Sequence, residues 1–257
     1  MEEFQRIYSY LPISSQDDDE PEYIRTLFRA FEMSYTAGLY QFAYIQLHMI
    51  FMVCIYYMLL KISTHEPEKL KDALHFMLKN KDRLRDFYGP SNTRSGNLYF
   101  GSFAALGESD IFLLFKIVGM DSNLQGELQK LVEERNKYAH ANGNIIITSQ
   151  ETIDEKISLY IRLLERVFAL MRPLIQKLYI DTILSPEFYD PEIRAFVGDE
   201  EQMNEAFIRR HCLTQRELNV CRRFDVNSLA GQAGYDNIKQ LHIALNTVYR
   251  GLAEQEE

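Results

Sequence analysis

The sequence predicts an all-α protein, in which a helical bundle is followed by a C-terminal helical appendage. The 257 residues are 46% hydrophobic, which is enough for a sizeable core. The chain has only 12 glycines and 7 prolines among many helix-forming residues, which argues against a disordered or all-β chain. Apolar residues also recur at helical spacing over long stretches. These three observations point to the same class of fold.

Changes in composition divide the chain into three parts. Residues 1–20 end in an acidic run and are expected to be an exposed lead-in. Residues 21–184 are expected to form the helical bundle, and residues 185–257 a C-terminal helical subdomain. The second boundary is placed where helix-breaking residues follow one another closely: Pro186, Pro191 and Gly198.

Most helices of the bundle can be placed in order along the chain. Residues 22–62 are expected to form two helices that are broken near Gly38. A charged helix over 69–87, a loop over 88–97, a short helix over 111–118 and a longer helix from 124 that ends near 141–143 follow. Residues 144–148 are at most a brief extended stretch.

The segment from Phe42 to Leu60 is apolar for nineteen residues, close to the length that a bilayer requires. Gln46 and His48 lie in its middle, and no basic residues flank its start. We therefore interpret it as a buried core helix and not as a membrane span. His48 is interpreted as a core histidine with satisfied hydrogen bonds, and not as a metal ligand.

The most regular helix follows residue 150 and contains Pro173, where a kink is expected. Its apolar residues alternate in steps of four and three, which is a heptad seam. This seam could pack inside the chain or against a second copy. Its members are Ile153, Ile157, Tyr160, Leu164, Val167, Met171, Leu174 and Leu178.

The candidate site is the end of the helix that starts near residue 124. Arg135, Asn136 and His140 are gathered there, and Asn136 and His140 are four positions apart and share a face. Arginine is always charged and can hold a phosphate, whereas histidine titrates near neutrality and can move a proton. The three residue types suit phosphoryl chemistry at one helix end.

This pattern resembles the motif of the HEPN superfamily (higher eukaryotes and prokaryotes nucleotide-binding), which is an arginine, a polar residue directly after it, and a histidine separated from the arginine by four to six residues. The resemblance implies a HEPN-type bundle and a metal-independent endoribonuclease of the toxin or anti-phage defence kind, without a cofactor. It implies catalysis by Arg135, Asn136 and His140 across a homodimer, with an antitoxin or sensor protein as a further partner. Secondary RNA contacts are expected from four neighbouring residues: Lys137, Tyr138, Asn142 and Asn144.

Two other interpretations of the motif stay open. Basic side chains at a helix end can simply satisfy its last carbonyl groups and the helix dipole. Alternatively, the chain is a HEPN-like interaction module or regulator that does not cleave RNA.

Charge and cysteine content set further expectations. The net charge of −9 means that RNA binding requires a local basic site. Three scattered cysteines and no basic-then-apolar leader favour reduced thiols and the cytosol. The histidines and cysteines lack zinc-binding spacing, so we expect no metal site.

Residues 229–250 resemble the second helix-turn-helix of AraC-like regulators. Leu229 and Ala230 would open the first helix, Ala233, Gly234 and Tyr235 would make the turn, and a recognition helix would follow. DNA is therefore a candidate partner, although Lys239 and Arg250 are the only basic residues of that helix. A three-helix appendage that serves packing or partner binding is the alternative.

Overall fold

A computed structural model describes residues 2–14, 19–77, 102–103, 106–139 and 147–254. These residues are helical, and no β-strand occurs among them. The expected all-α class is thereby confirmed. By their internal contacts the residues form two units. Unit 1 comprises Met1–Ile7 and Asp19–Met171, and unit 2 comprises Tyr8–Asp18 and Arg172–Glu257.

Unit 1 contains the helices that surround the candidate site. Helix α2 packs along α3, and α6 contacts both α3 and α5. A 3₁₀ helix at Leu114–Val118 extends α5. The helices, with their bounds, are α1 (Glu2–Gln5), α2 (Asp19–Thr36), α3 (Tyr40–His65), α4 (Pro67–Met77), α5 (Glu108–Leu113), α6 (Ser122–Ala139) and the first part of α7 (Gln150–Ile183).

The predicted break between the first two long helices is confirmed at Gly38. This glycine has a φ of +72°, a conformation that side chains with a Cβ rarely adopt, and it lies between α2 and α3. The break allows the two helices to pack against each other within unit 1.

Helix α3 is the apolar helix of the sequence analysis. By length and composition it could cross a membrane, but core helices pass the same test. Of its most apolar window, 72% is buried within the chain, which supports the core interpretation. Both ring nitrogens of its His48 have hydrogen-bond partners, as expected of a satisfied core histidine.

The expectation of an exposed N-terminal lead-in is wrong for residues 2–14. Phe4, Ile7 and Tyr10 are each at most 1% exposed, and the ring of Phe4 stacks on that of Phe31 at 3.8 Å between centroids. Their spacing of three residues places apolar groups on one face of a helical turn, and burying that face outweighs the polar composition of residues 16–20.

The heptad seam of α7 is buried within the chain, each member being at most 8% exposed. Of the two interpretations, the structure therefore favours packing inside the chain. Pro173 lies within the helix. The boundary between the units falls in α7, after Met171, and not near residue 185 as the composition suggested.

Unit 2 is built from short elements and one long helix. These are the end of α7, α8 (Pro186–Tyr189), α9 (Asp199–Glu201), a π-helix at Gln202–Arg209, α10 (Gln215–Arg222), a 3₁₀ helix at Val226–Leu229 and α11 (Tyr235–Glu254). Helix α10 begins with a capping box. The hydroxyl of Thr214 accepts from the backbone of Glu217, whose carboxylate accepts from the backbone of Thr214.

Four predicted elements differ or lie, wholly or in part, beyond the described residues. The helix expected to open at Leu229 and Ala230 does not form, because the 3₁₀ helix ends at Leu229 and a turn leads to α11. The helix predicted over 69–87 is described only to Met77. The predicted loop over 88–97 and most of the extended stretch over 144–148 lie outside the described residues.

Candidate functional site

The motif lies in the last turns of α6, as the sequence predicted. Arg135, Asn136, Lys137 and Tyr138 are within this helix, which is described as far as Ala139. The other site residues predicted from the sequence lie outside the described part of the chain: His140, Asn142 and Asn144.

The guanidinium of Arg135 forms an ion pair with a carboxylate from another helix. Its Nη2 donates a hydrogen bond to Oε2 of Glu108, the first residue of α5. The two side chains are 26% and 22% exposed, so this ion pair stands at the surface of unit 1 with most of its area covered. Arg135 has no other hydrogen bond among the described residues, so most of its five N–H donors have no partner in that part of the chain.

The helix-capping interpretation of Arg135 is not what the structure shows. Its partner is a carboxylate, and the carbonyl of Tyr138 accepts a hydrogen bond from Nε2 of Gln41 at 3.2 Å. A side chain of α3 is thereby linked to the backbone of α6 at Tyr138.

The carboxylate of Glu108 also contacts a buried histidine. Nε2 of His48 lies 3.0 Å from the same Oε2 that Arg135 contacts, and the His48 side chain is only 2% exposed. Burial alone would raise the pKa of the Glu108 carboxyl, but the hydrogen bonds and charges of His48 and Arg135 outweigh it and hold this pKa below its usual value. Glu108 is consequently an ionised acceptor at neutral pH.

A line of hydrogen bonds continues from His48 through unit 1. Its Nδ1 lies 2.8 Å from the hydroxyl of Tyr160, which donates to the hydroxyl of Tyr44 at 3.1 Å. Tyr44 in turn donates to Oε2 of Glu134 at 3.4 Å. Burial raises the pKa of Tyr160 and of Tyr44 well above 10, so both hydroxyls keep their protons.

The line ends at Glu134, one residue before Arg135. Its Oε1 accepts from the hydroxyl of Tyr138 at 3.0 Å and from Nζ of Lys156 at 2.5 Å. Burial, together with the hydrogen bond to Glu134, raises the pKa of Tyr138 to about 12. Tyr138, one of the predicted RNA contacts, is therefore engaged within the chain, and its ring packs edge-on against that of Tyr44.

Two other predicted site residues have different surroundings. Asn136 is half-buried and has no side-chain hydrogen bond within the described ranges. Lys137 is two positions from Arg135, about 200° around the helix, and lines a groove of about 370 Å³ between α6 and α7 with Leu159 and Leu163. The structure thus places Arg135 and Lys137 on different faces of α6.

Glu108, Tyr160 and Glu134 were not identified as site residues from the sequence. Glu108 precedes Arg135 by 27 positions, and no local pattern joins the two. The one available signal was His48, a polar residue in the middle of an apolar helix, because a buried histidine requires partners. That signal indicates a network but does not name its members.

No three histidine, cysteine, aspartate or glutamate side chains are grouped so that they could hold a metal ion in the described part of the chain. Comparisons with protein-family models, curated proteins and solved structures found no match to this chain.

Proposed function

We propose that the protein is a metal-independent endoribonuclease of the toxin or anti-phage defence type, with a HEPN-type helical bundle. The observation that carries the proposal is the hydrogen bonding of the Arg135 guanidinium. This guanidinium is fixed by Glu108 at the surface of unit 1, while most of its donors have no partner among the described residues. A fixed guanidinium at the end of a rigid helix suits the binding of one phosphate.

The proposed reaction requires no external nucleophile, because RNA carries one in its 2′-hydroxyl. The 2′-oxygen loses its proton to a base and attacks the phosphorus, and the bond from phosphorus to the 5′-oxygen breaks. The leaving 5′-oxygen takes a proton from an acid, which leaves a 2′,3′-cyclic phosphate and a 5′-hydroxyl. Arg135 stabilises the charge on the phosphate, His140 moves a proton, and Asn136 orients the phosphate or the imidazole.

A homodimer forms part of the proposal because one motif supplies one histidine, whereas the reaction uses a base and an acid. The heptad seam of α7 is buried and is not available to a second copy. The dimer must therefore use another surface. An antitoxin or sensor protein as regulator, and the cytosol as compartment, are further parts of the proposal.

The test of the Arg135 clamp is cleavage of a mixed RNA pool in excess chelator by the wild type, Arg135→Ala and Arg162→Ala. Arg162 is an exposed arginine of α7 without a hydrogen bond in the described ranges, so its variant is a matched control for lost charge. We expect cleavage by the wild type and by Arg162→Ala only. Equal cleavage by Arg135→Ala would contradict the proposed site.

A second candidate function is DNA binding by unit 2, with the chain acting as a regulator that does not cleave RNA. The observation in its favour is the solvent face of α11. Lys239, Gln240, Thr247 and Arg250 are exposed there, and side chains of these types can contact base edges or phosphates. Ile243 and the acidic Asp236 of the same helix are also exposed.

This alternative predicts that a pool of DNA duplexes binds to the protein and that Lys239→Ala weakens the binding. A double variant of Arg222 and Arg223 should also weaken it, since both lie at the end of α10 and the guanidinium of Arg222 is 4.5 Å from the ring centroid of Tyr249 in α11. Duplex binding that neither variant changes would remove this candidate.

A further inference from the structure

The hairpin of α2 and α3 in unit 1 leaves four large apolar side chains open to solvent. Met33 of α2, Leu39 of the turn, and Phe42 and Met49 of α3 are 62%, 52%, 59% and 39% exposed. Phe42 and Met49 are seven positions apart, which places them on one side of α3, whereas most of the other side chains of this helix are buried. We refer to these four residues as the outer face.

A hydrogen-bonded glutamine joins the two helices next to the outer face. In the orientation that satisfies both atoms of its amide, Gln46 donates to the carbonyl of Ala30 at 3.1 Å and to the hydroxyl of Ser34 at 3.0 Å. Met33 directly precedes Ser34, and Phe42 lies about one turn before Gln46. The exposed side chains of α2 and α3 are therefore neighbours across the hairpin and form one surface.

The outer face is nearly as large as the apolar part of a protein interface. Side chains of this size at these exposed fractions leave on the order of 400 Å² of surface open to solvent. A standard interface covers roughly 800 Å² on each partner, and a little over half of that area is apolar. An apolar patch of about 300–600 Å² on a protein surface is often functional.

The distribution of charge favours a second copy of the chain as the occupant. From Leu39 to Leu60 the sequence contains no aspartate, glutamate, lysine or arginine, although the whole chain has a net charge of −9. Two copies with this charge repel each other and approach most closely where charge is absent. In a two-fold dimer the same residues meet from both sides, so the surface must be complementary to itself. An uncharged apolar face meets this condition.

The outer face also runs along the part of α3 that contacts the candidate site. Gln41 precedes Phe42, and its Nε2 donates to a backbone carbonyl of α6 at 3.2 Å. His48 precedes Met49, and its Nε2 lies 3.0 Å from the carboxylate oxygen that Arg135 contacts. Because successive residues of a helix are about 100° apart, the outer face borders the end of α6 that carries Arg135.

We propose that a second copy of the chain docks on the outer face about a two-fold axis, which places the Arg135 ends of two α6 helices at the border of one interface. The need for two such ends rests on the proposed function, in which one motif supplies the base and the other the acid. The argument from area and charge for the outer face does not depend on that function.

The first test is sedimentation velocity of the wild type, Phe42→Glu and Phe76→Glu at micromolar concentration. Phe76→Glu is the matched control, because Phe76 is 81% exposed on α4 and lies outside the outer face. The wild type and the control should be dimers. In Phe42→Glu a carboxylate would be buried against its own symmetry copy, so the dissociation constant should rise roughly 30-fold or more.

A monomeric wild type would overturn the proposal, and so would a Phe42→Glu protein that dimerises as tightly as the wild type. Circular dichroism and thermal unfolding establish that the variant is folded, which is expected because Phe42 is largely exposed. Met33→Glu, on the other helix of the hairpin, should weaken the dimer as well. This second variant keeps the test decisive if Phe42→Glu does not fold.

The second test identifies the occupant. A photoreactive benzoylphenylalanine replaces Met33, and labelled and unlabelled chains are mixed so that mass spectrometry recognises links between copies. Links to residues 30–49 of the other copy are expected, and links to other segments alone would overturn the proposal. A monomeric wild type that binds vesicles of phosphatidylcholine and phosphatidylglycerol, with the binding lost in Phe42→Glu, would assign the outer face to a membrane instead.

RNA cleavage in excess chelator separates this proposal from the proposed function. A dimer that uses the outer face but leaves RNA intact would support the docking surface and contradict the ribonuclease. Cleavage by a wild type whose dimer persists in Phe42→Glu would overturn the docking surface alone. Cleavage at the wild-type rate by a monomeric Phe42→Glu protein would overturn the connection between the interface and Arg135.

Discussion

His48 and Arg135 belong to different helices and contact the same carboxylate oxygen, Oε2 of Glu108. His48 is buried in unit 1, whereas Arg135 reaches the surface of that unit. Glu108 thereby connects a core hydrogen-bond network to the arginine of the proposed active site. The predictions below test the two ends of this connection and the packing of unit 2.

Arg135→Lys should abolish most of the RNA cleavage, although it keeps the charge. A lysine ammonium is a single point charge without the planar fork of arginine, so it cannot hold Glu108 and a phosphate in fixed directions together. We expect the cleavage rate to fall roughly 10²-fold. The measurement is single-turnover cleavage, with Arg162→Lys as the control. A wild-type rate in Arg135→Lys would show that the fork has no role.

Tyr160→Phe should destabilise unit 1 by about 1–3 kcal/mol, because it leaves Nδ1 of the buried His48 without its partner and removes the hydrogen bond that the hydroxyl of Tyr44 accepts. Urea unfolding measures this change in free energy. The control is Tyr40→Phe, whose hydroxyl has no hydrogen bond in the described ranges and whose loss should cost less than about 0.5 kcal/mol. Equal effects of the two variants would mean that the network contributes nothing to stability.

Gly234→Ala should destabilise unit 2 strongly. Gly234 has a φ of +72°, and a Cβ there would lie 2.1 Å from Cε2 of Tyr189. Gly38 has the same φ with open space around it, so Gly38→Ala measures the backbone strain alone. We expect Gly234→Ala to lower the free energy of unfolding by about 1–3 kcal/mol more than Gly38→Ala does.

The double variant Gly234→Ala with Tyr189→Ala checks that the ring of Tyr189 causes this difference. In the Tyr189→Ala background, Gly234→Ala should lower the free energy of unfolding by less than it does in the wild type. If the alanine at position 234 costs as much without the ring, the steric explanation fails.

His242 should make unit 2 less stable in mild acid. Its Nδ1 lies within hydrogen-bond distance of the hydroxyl of Tyr179, at 2.6 Å, and burial lowers the pKa of His242 below the ordinary 6.5. Just below pH 6.5 the unfolded chain therefore binds more protons than the folded one. The free energy of unfolding thus falls as the pH drops from about 6.5 through the lowered pKa of the folded state.

His242→Gln, which cannot be protonated, should remove most of this dependence in urea unfolding between about pH 7.5 and pH 5. His75→Gln should retain it, since His75 is exposed on α4 in unit 1. An unchanged loss of stability in acid for His242→Gln would assign that loss to other groups.

Much of the fold can be predicted from local sequence patterns. The seam of α7 and the apolar α3 were identified from their periodicity, because burial of one face imposes the same spacing in any helical bundle. The break at Gly38 and the capping box at Thr214 are signals confined to a few residues. Each of these features is determined by neighbours in sequence.

The remainder depends on contacts that sequence spacing does not encode. Glu108 meets Arg135 only because α5 packs on α6, and His48 meets Tyr160 across 112 positions. The boundary between the two units within α7 could not be predicted from its heptads, since the seam continues through Met171 without a change of period. The spacing of Phe4, Ile7 and Tyr10 indicates a buried helical face, whereas the acidic run that follows indicates an exposed segment. The two signals conflict, and sequence spacing alone does not decide between them.

The central claim, a metal-independent ribonuclease built on the Arg135 motif, is tested most directly by one comparison. A mixed RNA pool is incubated in excess chelator with the wild type or with His140→Ala, and the new RNA ends are analysed. The account predicts that only the wild type cleaves and that its products carry 2′,3′-cyclic phosphates. Cleavage that survives in His140→Ala, or RNA left intact by both proteins, would contradict it.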